Sequence, residues 1–111
     1  MLIYKIFRAP EWADLDANGE TLGAPIDLAD GYIHFSTATQ AAETAAEHFA
    51  DVEGLVLAAI DTAALGDALK WEVSRGGAKF PHLYAPFHMD HVVAAVPLPL
   101  GPGGHRFPDL T

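Results

Sequence analysis

The sequence predicts an α+β fold, a single compact domain in which a few helices accompany a bent or split, mostly antiparallel sheet. Strand-length runs of β-branched and aromatic residues recur along the chain, and one long segment has helical periodicity. No linker, repeat or low-complexity block divides the 111 residues, so one domain is expected over 1–111. Half of the residues are apolar, which is enough for a core without the disulfides that a chain lacking Cys cannot form.

The N-terminal third is predicted to contain a strand, a short helix and a loop. Alternating aromatic and β-branched residues predict a strand over Leu2–Phe7. Pro10 suits the first turn of a helix, and the Asn-Gly pair at 18–19 ends that helix in a turn. Residues 20–28 are predicted to be a loop or weakly extended, because Pro25 breaks any helix there.

The middle of the chain carries the clearest secondary-structure signals. Residues 32–35 form a short β-branched and aromatic run, which predicts a strand. Residues 38–49 are predicted to form the clearest helix of the chain. Its expected packing face consists of Ala42, Ala45, Ala46 and Phe49.

The second half is predicted to be mainly extended. The unbroken apolar run 55–60 predicts a buried strand, after which Asp61 caps a single helical turn. Further strands are expected over Leu69–Val73 and 91–96. The two prolines in 80–87 predict an irregular segment or an edge strand, and residues 97–111 are predicted to be an extended tail.

The charge distribution limits the class of ligand. A net charge of −9 repels nucleic acid and anionic lipid, so neither is an expected partner. Segment 68–89 nevertheless carries Lys70, Arg75 and Lys79 against one carboxylate, which makes it +2 and the remainder −11. Such an electropositive island suits a small anionic, nucleotide-like ligand, although a basic strand edge that discourages aggregation is an equal alternative. No signal peptide or membrane-length apolar run is recognised, so a cytoplasmic location is expected.

Segment 30–37 (DGYIHFST) gathers the first candidate site residues. His34 and Ser36 are two positions apart on the predicted strand, so their side chains share a face. Ser36 and Thr37 precede the predicted helix, with Gln40 placed to complete a capping box on Thr37. We interpret His34 as a catalytic or hydrogen-bonding imidazole and both hydroxyls as ligand contacts; a core histidine bonded to a carbonyl is the alternative.

Segments 71–77 (WEVSRGG) and 80–84 (FPHLY) supply the remaining candidates. Glu72 is a candidate base or ribose ligand, with an ion pair to Arg75 or Lys70 as the commoner outcome. Arg75 beside two glycines suits phosphate binding, because guanidinium binds phosphate in a bidentate manner. Stacking on a base or nicotinamide ring is assigned to the candidate rings Trp71, His82 and Tyr84.

Histidine spacing gives little support for a metal site. The six histidines include one cluster with a neighbouring carboxylate, formed by His82, His88, Asp90 and His91. This spacing matches no helix-borne zinc motif. A hydrolase that uses these histidines to hold a metal is therefore the least favoured hypothesis, and no metal is assigned.

Taken together, these motifs resemble an uncharacterised bacterial family, domain-of-unknown-function family 952, over residues 3–98. The resemblance implies a fold similar to that of ADP-ribosyltransferases, which cleave NAD at the nicotinamide bond, and of RNA 2′-phosphotransferases. In that superfamily a strand-borne His or Arg, followed two residues later by Ser or Thr, holds the ribose and nicotinamide side of NAD, which implies this role for His34 and Ser36. The implied ribose-polarising carboxylate is Glu72.

The sequence thus leads to two main hypotheses. The first is a pocket for NAD or a related ADP-ribosyl compound, either as substrate of a transferase or glycohydrolase or as a bound ligand. The second is a non-catalytic module for ligand or protein binding that kept the fold without the chemistry.

Overall fold

The structure is a computed structural model that describes residues 1–110, with the side chain of Arg75 outside that description. It contains three helices of more than one turn and ten strands in this part of the chain. In chain order the elements are β1 Leu2–Phe7, α1 Ala9–Asn18, β2 Glu20–Thr21, α2 Pro25–Asp30, β3 Ile33–His34, α3 Ala41–His48, β4 Leu55–Asp61, β5 Leu69–Val73, β6 Lys79–Leu83, β7 Phe87–His88, β8 Val92–Leu98, β9 Leu100–Gly101 and β10 Gly104–His105.

Two three-stranded antiparallel sheets form the framework. The first has the order β1-β4-β8, and the second has the order β3-β6-β5. Two short pairs, β2-β7 and β9-β10, complete the strand pairing. The sequence-based prediction of an α+β domain with split antiparallel sheets is confirmed at this level.

The first sheet follows directly from the apolar pattern. β4 is the central strand, and its continuous apolar run is covered on both faces, as predicted. β1 pairs with β4 along its whole length, from Leu2 opposite Asp61 to Phe7 opposite Val56. Asp61 then accepts a hydrogen bond from the backbone N–H of Ala63, which confirms the expected cap of the following turn.

The second sheet corrects the prediction for residues 80–87. β6 is the central strand of this sheet, although its proline suggested an edge strand or an irregular segment. Pro81 pairs with Trp71 on β5, while its carbonyl accepts a hydrogen bond from the N–H of Phe35 at 3.0 Å. Proline lacks only the donor, so it is tolerated where the strand uses its acceptor.

A backbone bridge connects the two sheets. Tyr4 on β1 and Ser36, just after β3, exchange two hydrogen bonds with N···O distances of 2.7 and 2.8 Å. Ser36 is therefore held by its backbone between the sheets. The region that carries β3 is consequently fixed to β1, although β3 itself has only two residues rather than the expected four.

The short helix α2 was not predicted. Pro25 begins this helix instead of breaking it, because a proline in the first turn has no N–H to leave unpaired. Gly31, with φ of 84°, ends the helix in the left-handed conformation. The segment expected to be a loop therefore presents an ordered turn of helix directly before β3.

The start and the buried face of α3 also differ from the prediction. The helix begins at Ala41 rather than at residue 38, and residues 37–40 form a turn. Ala41 and Ala45 are buried, whereas Ala42 and Ala46 are exposed. Alanine occurs on both faces of this helix, so hydrophobicity alone could not identify the buried one.

Two hydrophobic clusters fill the interior. One lies around Phe7, Leu15 and Phe87, and the other lies around Tyr4 and Leu57. Phe107 and Leu110 pack against the second cluster, so part of the segment expected to be a tail contacts the core. None of the helices in the described residues is long and apolar enough to cross a membrane.

We expect Phe87→Ala to lower the free energy of unfolding by about 3–5 kcal/mol, because it leaves a cavity in the core. Phe87 is fully buried, and its ring lies 5.5 Å from that of Phe35 and 6.3 Å from that of Phe7. Urea unfolding measures the loss, with Val93→Ala on the exposed side of β8 as a control that should change stability by about 0.5 kcal/mol or less. Equal stability of the two variants would contradict this packing.

Candidate functional site

A cleft of about 770 Å³ lies over the face of the second sheet that carries His34 and His82. It reaches from α2 and β3 across to α3. Its size is in the range of small-ligand sites. The polar side chains that line it are Tyr4, Lys5, Arg8, Glu11, Asp27, Asp30, His34, Ser36, Thr44, Glu47, His48, Ser74 and His82.

The Asp27 carboxylate is the buried polar centre of this region. One oxygen, Oδ2, accepts hydrogen bonds from the Lys5 ammonium at 3.2 Å and from the N–H of Ala24 at 2.8 Å. The other oxygen, Oδ1, accepts the N–H of His34 at 3.0 Å and lies 2.6 Å from His34 Nδ1. This set of donors satisfies both oxygens, which is what makes burial of a charged carboxylate tolerable.

The same donors keep Asp27 ionised. Burial acts to raise the pKa of the Asp27 carboxyl, but the hydrogen bond from His34, the charge of Lys5 and the backbone donors outweigh burial and hold the pKa at about 2. Lys5 is buried as well and also donates to the carbonyl of His34 at 3.0 Å. Asp27 and Lys5 therefore form a buried ion pair that orients β3.

The His34 imidazole is held between two carboxylates. Its Nδ1 contacts Asp27, while its Nε2 lies 2.9 Å from Oδ2 of the half-exposed Asp30. Since a carboxylate can only accept, both contacts are hydrogen bonds when both ring nitrogens carry protons. The ring is 30 % exposed, so Nε2 can exchange Asp30 for another acceptor in the cleft.

Gly23 makes room for this arrangement. Its φ is 111°, and a Cβ atom at this position would meet Cβ and Oδ2 of Asp27 at 2.4 and 2.5 Å. No L side chain fits such a contact without displacing the carboxylate. Gly23, Pro25 and Gly31 thus fix the backbone that brings Asp27 and Asp30 to His34.

A second carboxylate holds a second imidazole. Oε1 of Glu72 lies 2.8 Å from His82 Nδ1 and accepts a hydrogen bond from the Tyr84 hydroxyl at 2.7 Å. The bonds from Tyr84 and His82 lower the pKa of the Glu72 carboxyl, and the bond to Glu72 raises the pKa of Tyr84 to about 12. His82 lines the cleft, whereas Glu72 supports the imidazole from outside the lining.

The ring of Tyr32 packs against both imidazoles. Its centroid lies 4.7 Å from that of His34 and 4.1 Å from that of His82, and it stacks on Tyr84 at 5.2 Å. Burial, followed by the charges of Asp30 and Glu72, raises the pKa of Tyr32. The two histidines therefore share one aromatic neighbour.

Seven of the eight residues predicted for the site have described side chains, and the structure brings three of these seven together. His34, Ser36 and His82 line the same cleft. The Ser36 hydroxyl, which the sequence predicts to be a ligand contact, lies 2.8 Å from the hydroxyl of Thr44 on α3. Glu72 joins the group through His82.

The other predicted contacts lie elsewhere or outside the described residues. Thr37 lines a separate hollow with Met1 and Asp61, and Gln40 Oε1 accepts its N–H at 3.0 Å. Trp71 and Tyr84 are partly exposed and do not line the cleft. The side chain of Arg75 lies outside the described residues, so its assignment to phosphate stays a prediction.

Among the residues whose side chains are described, the Lys and Arg residues that line the cleft are ones that sequence reasoning did not select. Lys70 and Lys79 of the predicted electropositive island are absent from the described lining, which contains Lys5 and Arg8 of β1 and its end. Arg8 lies over the ring of Phe49 and 3.5 Å from Glu11. Asp27, Lys5 and Asp30 were also missed. A usable signal existed for Lys5, which alternates with Ile3 and Phe7 on a face that must be buried.

Within the described residues, no group of three or more His, Asp or Glu side chains is arranged to hold a metal ion. His88 and His91 lie together away from the cleft, with ring centroids 5.2 Å apart. Burial and the neighbouring His88 lower the pKa of His91. These histidines do not join His82, whose Nδ1 is turned to Glu72.

Comparison with known proteins gives a family but no activity. The sequence profile of a family described as protein of unknown function (DUF952) matches residues 6–95. A search of the curated proteins found no match.

Three solved structures are similar over nearly the whole chain. The crystal structure of protein CC0527 from Caulobacter crescentus is 47% identical, with a TM-score of 0.92 over 96% of this chain and 94% of that chain. A crystal structure of a double mutant of CC0527 is 46% identical, with a TM-score of 0.91 and the same coverage. The solution structure of CC0527 is 48% identical, with a TM-score of 0.84 over 94% of this chain and 90% of that chain.

We expect Gly23→Ala to destabilise the protein by about 1–3 kcal/mol or more, because the new Cβ strains a positive-φ backbone and displaces Asp27. Thermal unfolding measures the effect. Gly103→Ala is the matched control, since a Cβ there meets nothing within 4 Å and its φ is not positive. A Gly23→Ala protein as stable as the control would show that the carboxylate does not require this close approach.

The pKa of Asp27 predicts a loss of stability in acid. Its folded pKa of about 2 lies below the ordinary 3.8, so its contribution is complete above pH 4 and disappears as the pH falls through 2. The expected contribution is about 2 kcal/mol. Urea unfolding from pH 7 to pH 2 should show that Asp27→Asn is the less stable protein at pH 7 and that the difference narrows in acid. A difference independent of pH would contradict an ionised Asp27.

Proposed function

The chain belongs to the DUF952 family, and within it we propose that this protein binds a small ribose-phosphate ligand, NAD or a related ADP-ribosyl compound, in the cleft over the second sheet. The observation that carries the proposal is the meeting of His34 and Ser36 with a set of cations and carboxylates in one cleft of about 770 Å³. Such a mixture suits a ligand that carries both hydroxyls and phosphates.

The ribose is assigned to the floor of the cleft. Carboxylates accept hydrogen bonds from sugar hydroxyls, and Asp30 and Nε2 of His34 are neighbours at the accessible edge of the buried network. The Ser36 hydroxyl lies on the same sheet face and retains one further hydrogen bond beyond its contact with Thr44. These groups can bind a diol without breaking the contact between Asp27 and His34.

The phosphates are assigned to the cationic wall. Arg8 is partly exposed at the margin of the cleft, and the distance from its guanidinium to the Glu11 carboxylate is as long as 3.5 Å. A phosphate offers Arg8 a bidentate partner, which a carboxylate at that distance does not. The phosphate role of Arg75 stays a prediction from the sequence. The same holds for Thr37 as a hydroxyl contact and for Trp71 and Tyr84 as stacking rings, since none of these three residues lines the cleft.

An ADP-ribosyltransferase-like fold and transferase chemistry remain predictions from the sequence motifs. Glu72, the carboxylate to which ribose polarisation is assigned, hydrogen-bonds with His82 and Tyr84 and does not line the cleft. This observation favours the second candidate function, a module that binds its ligand without reacting with it. The proposal therefore commits to binding and leaves NAD cleavage as an outcome to be measured.

We expect ADP-ribose and NAD at millimolar concentration to raise the melting temperature, because a ligand that binds only the native state stabilises it. A concentration of about 100 times Kd corresponds to about 2.7 kcal/mol of stabilisation. His34→Asn should weaken binding about tenfold, since it keeps a donor for Asp27 and removes Nε2 from the cleft. Isothermal calorimetry measures the change in Kd.

His88→Asn is the control for this experiment. This substitution also removes an imidazole, but His88 is exposed and lies outside the cleft. The variant should therefore bind ADP-ribose with the same Kd as the original protein. Nicotinamide release is assayed in parallel to separate binding from cleavage. The proposal is wrong if neither ADP-ribose nor NAD shifts the melting temperature, or if both histidine variants bind equally well.

A further inference from the structure

Two imidazoles on neighbouring strands have the same kind of support. His34 on β3 and His82 on β6 are direct cross-strand partners, and their ring centroids lie 5.4 Å apart. Each ring has its Nδ1 against a carboxylate oxygen, that of Asp27 at 2.6 Å for His34 and that of Glu72 at 2.8 Å for His82. A carboxylate on Nδ1 fixes the orientation of the ring and directs Nε2 as the working nitrogen.

Both Nε2 atoms belong to rings that line the cleft. Nε2 of His82 makes no hydrogen bond to any described residue, yet no fully buried side-chain nitrogen or oxygen among those residues lacks a partner. This nitrogen is therefore not fully buried, although the His82 ring is 2% exposed as a whole. Two imidazoles that line one cleft and are each oriented by a carboxylate on Nδ1 are more than a binding site needs.

From this juxtaposition we propose that His34 and His82 form a general acid–base pair that hydrolyses a ribose phosphodiester of small size, such as a nucleoside 2′,3′-cyclic phosphate. The inference rests on the proposed function, because it takes the ribose-phosphate class of ligand from it and adds the reaction. Asp27 and Glu72 are the positioning residues of the pair, each acting through the imidazole it holds.

The two environments assign different roles to the rings. Nε2 of His34 lies 2.9 Å from Oδ2 of Asp30, a contact that is a hydrogen bond when Nε2 carries the proton that an acid donates. His82 faces one carboxylate, which is half-exposed and shares the same oxygen with the Tyr84 hydroxyl. His34 is therefore the acid, and His82, whose Nε2 makes no hydrogen bond to a described residue, is the base. An acid needs a proton on its working nitrogen, and a base needs a lone pair there that no other group occupies.

The reaction balances without a further reactant. Nε2 of His82 accepts a proton from water while the water oxygen forms a bond to phosphorus. The P–O bond to the ribose oxygen breaks, and that oxygen takes the proton from Nε2 of His34. In this step the leaving oxygen replaces the half-exposed Asp30 carboxylate as the partner of Nε2. Exchange of protons with solvent restores both rings.

The need for both groups follows from the bond to be broken. The oxygen of a ribose is a poor leaving group until it is protonated, and water is a weak nucleophile until it loses a proton. The cyclic phosphate is a suitable probe because its leaving oxygen stays attached to the product, so the cleft has to hold one small molecule only. The product is a nucleoside 2′- or 3′-monophosphate.

The test uses the full chain with adenosine 2′,3′-cyclic phosphate, and product formation is followed by chromatography. We expect His34→Asn and His82→Asn each to lower kcat at least about 100-fold, since each keeps a donor for its carboxylate and lacks Nε2. His88→Asn should retain full activity. The double variant His34→Asn with His82→Asn should lose little more than either single variant, because the pair acts as a unit.

The pH dependence supplies a readout that a structural role would not change. The original protein should show a bell-shaped profile of kcat/KM, with one limb for each ring. Glu72→Gln should shift the acidic limb of this profile, because a neutral amide replaces the carboxylate that lies 2.8 Å from Nδ1 of His82. The pH profile still tests the acid–base pair if an asparagine variant fails to fold, because it is measured on the original protein and on Glu72→Gln.

The outcomes separate the two proposals. The acid–base pair is supported if His34→Asn and His82→Asn each lose turnover while His82→Asn still binds ADP-ribose. Binding of ADP-ribose without turnover, turnover that survives the double variant, or a profile without two limbs overturns the acid–base pair and leaves the binding proposal standing. If the protein shows neither binding of ADP-ribose nor turnover of the cyclic phosphate, both proposals are overturned.

Discussion

The burial of one carboxylate organises this part of the molecule. Asp27 has no exposed side-chain surface, so each of its lone pairs needs a donor from within the fold. Those donors come from β1, from the start of α2 and from β3, through Lys5, Ala24 and His34. Three elements thus meet at one charged group, and the orientation of the His34 ring follows from their meeting. Removal of Lys5 would take away the ammonium that is paired with this buried charge.

The parts of the fold that were predictable are those whose patterns are local. β1, β5 and most of β4 follow from alternation or from an unbroken apolar run, and α1 follows from Pro10 and the turn at 18–19. The predictions were wrong at two prolines, because proline can either interrupt an element or be accommodated within it. Pro25 opens a helix, and Pro81 lies in a central strand, because in both places the missing N–H is not required by the partner. The buried face of α3 could not be read from an alanine-rich segment.

The candidate site shows the same division. His34, Ser36 and His82 could be brought together by strand periodicity and motif resemblance, and they do line one cleft. Asp27 could not be selected, because its importance arises from tertiary contacts with Lys5 and His34 that no local spacing expresses. Of the described cations, Lys70 and Lys79 of the electropositive island do not line the cleft, whereas Lys5 and Arg8 do. Proximity along the chain is a poor guide to which charges share a cavity.

Ser36 links the interior framework to the cleft in a way that has a mechanical consequence. Its backbone fastens one sheet to the other through Tyr4, while its hydroxyl reaches across to α3. A rotation of one sheet against the other at this backbone bridge would change the width of the cleft. A ligand that contacts Ser36 would therefore resist such a rotation. The rigidity of the two-sheet framework and the selectivity of the cleft for ligand shape thus depend on the same residue.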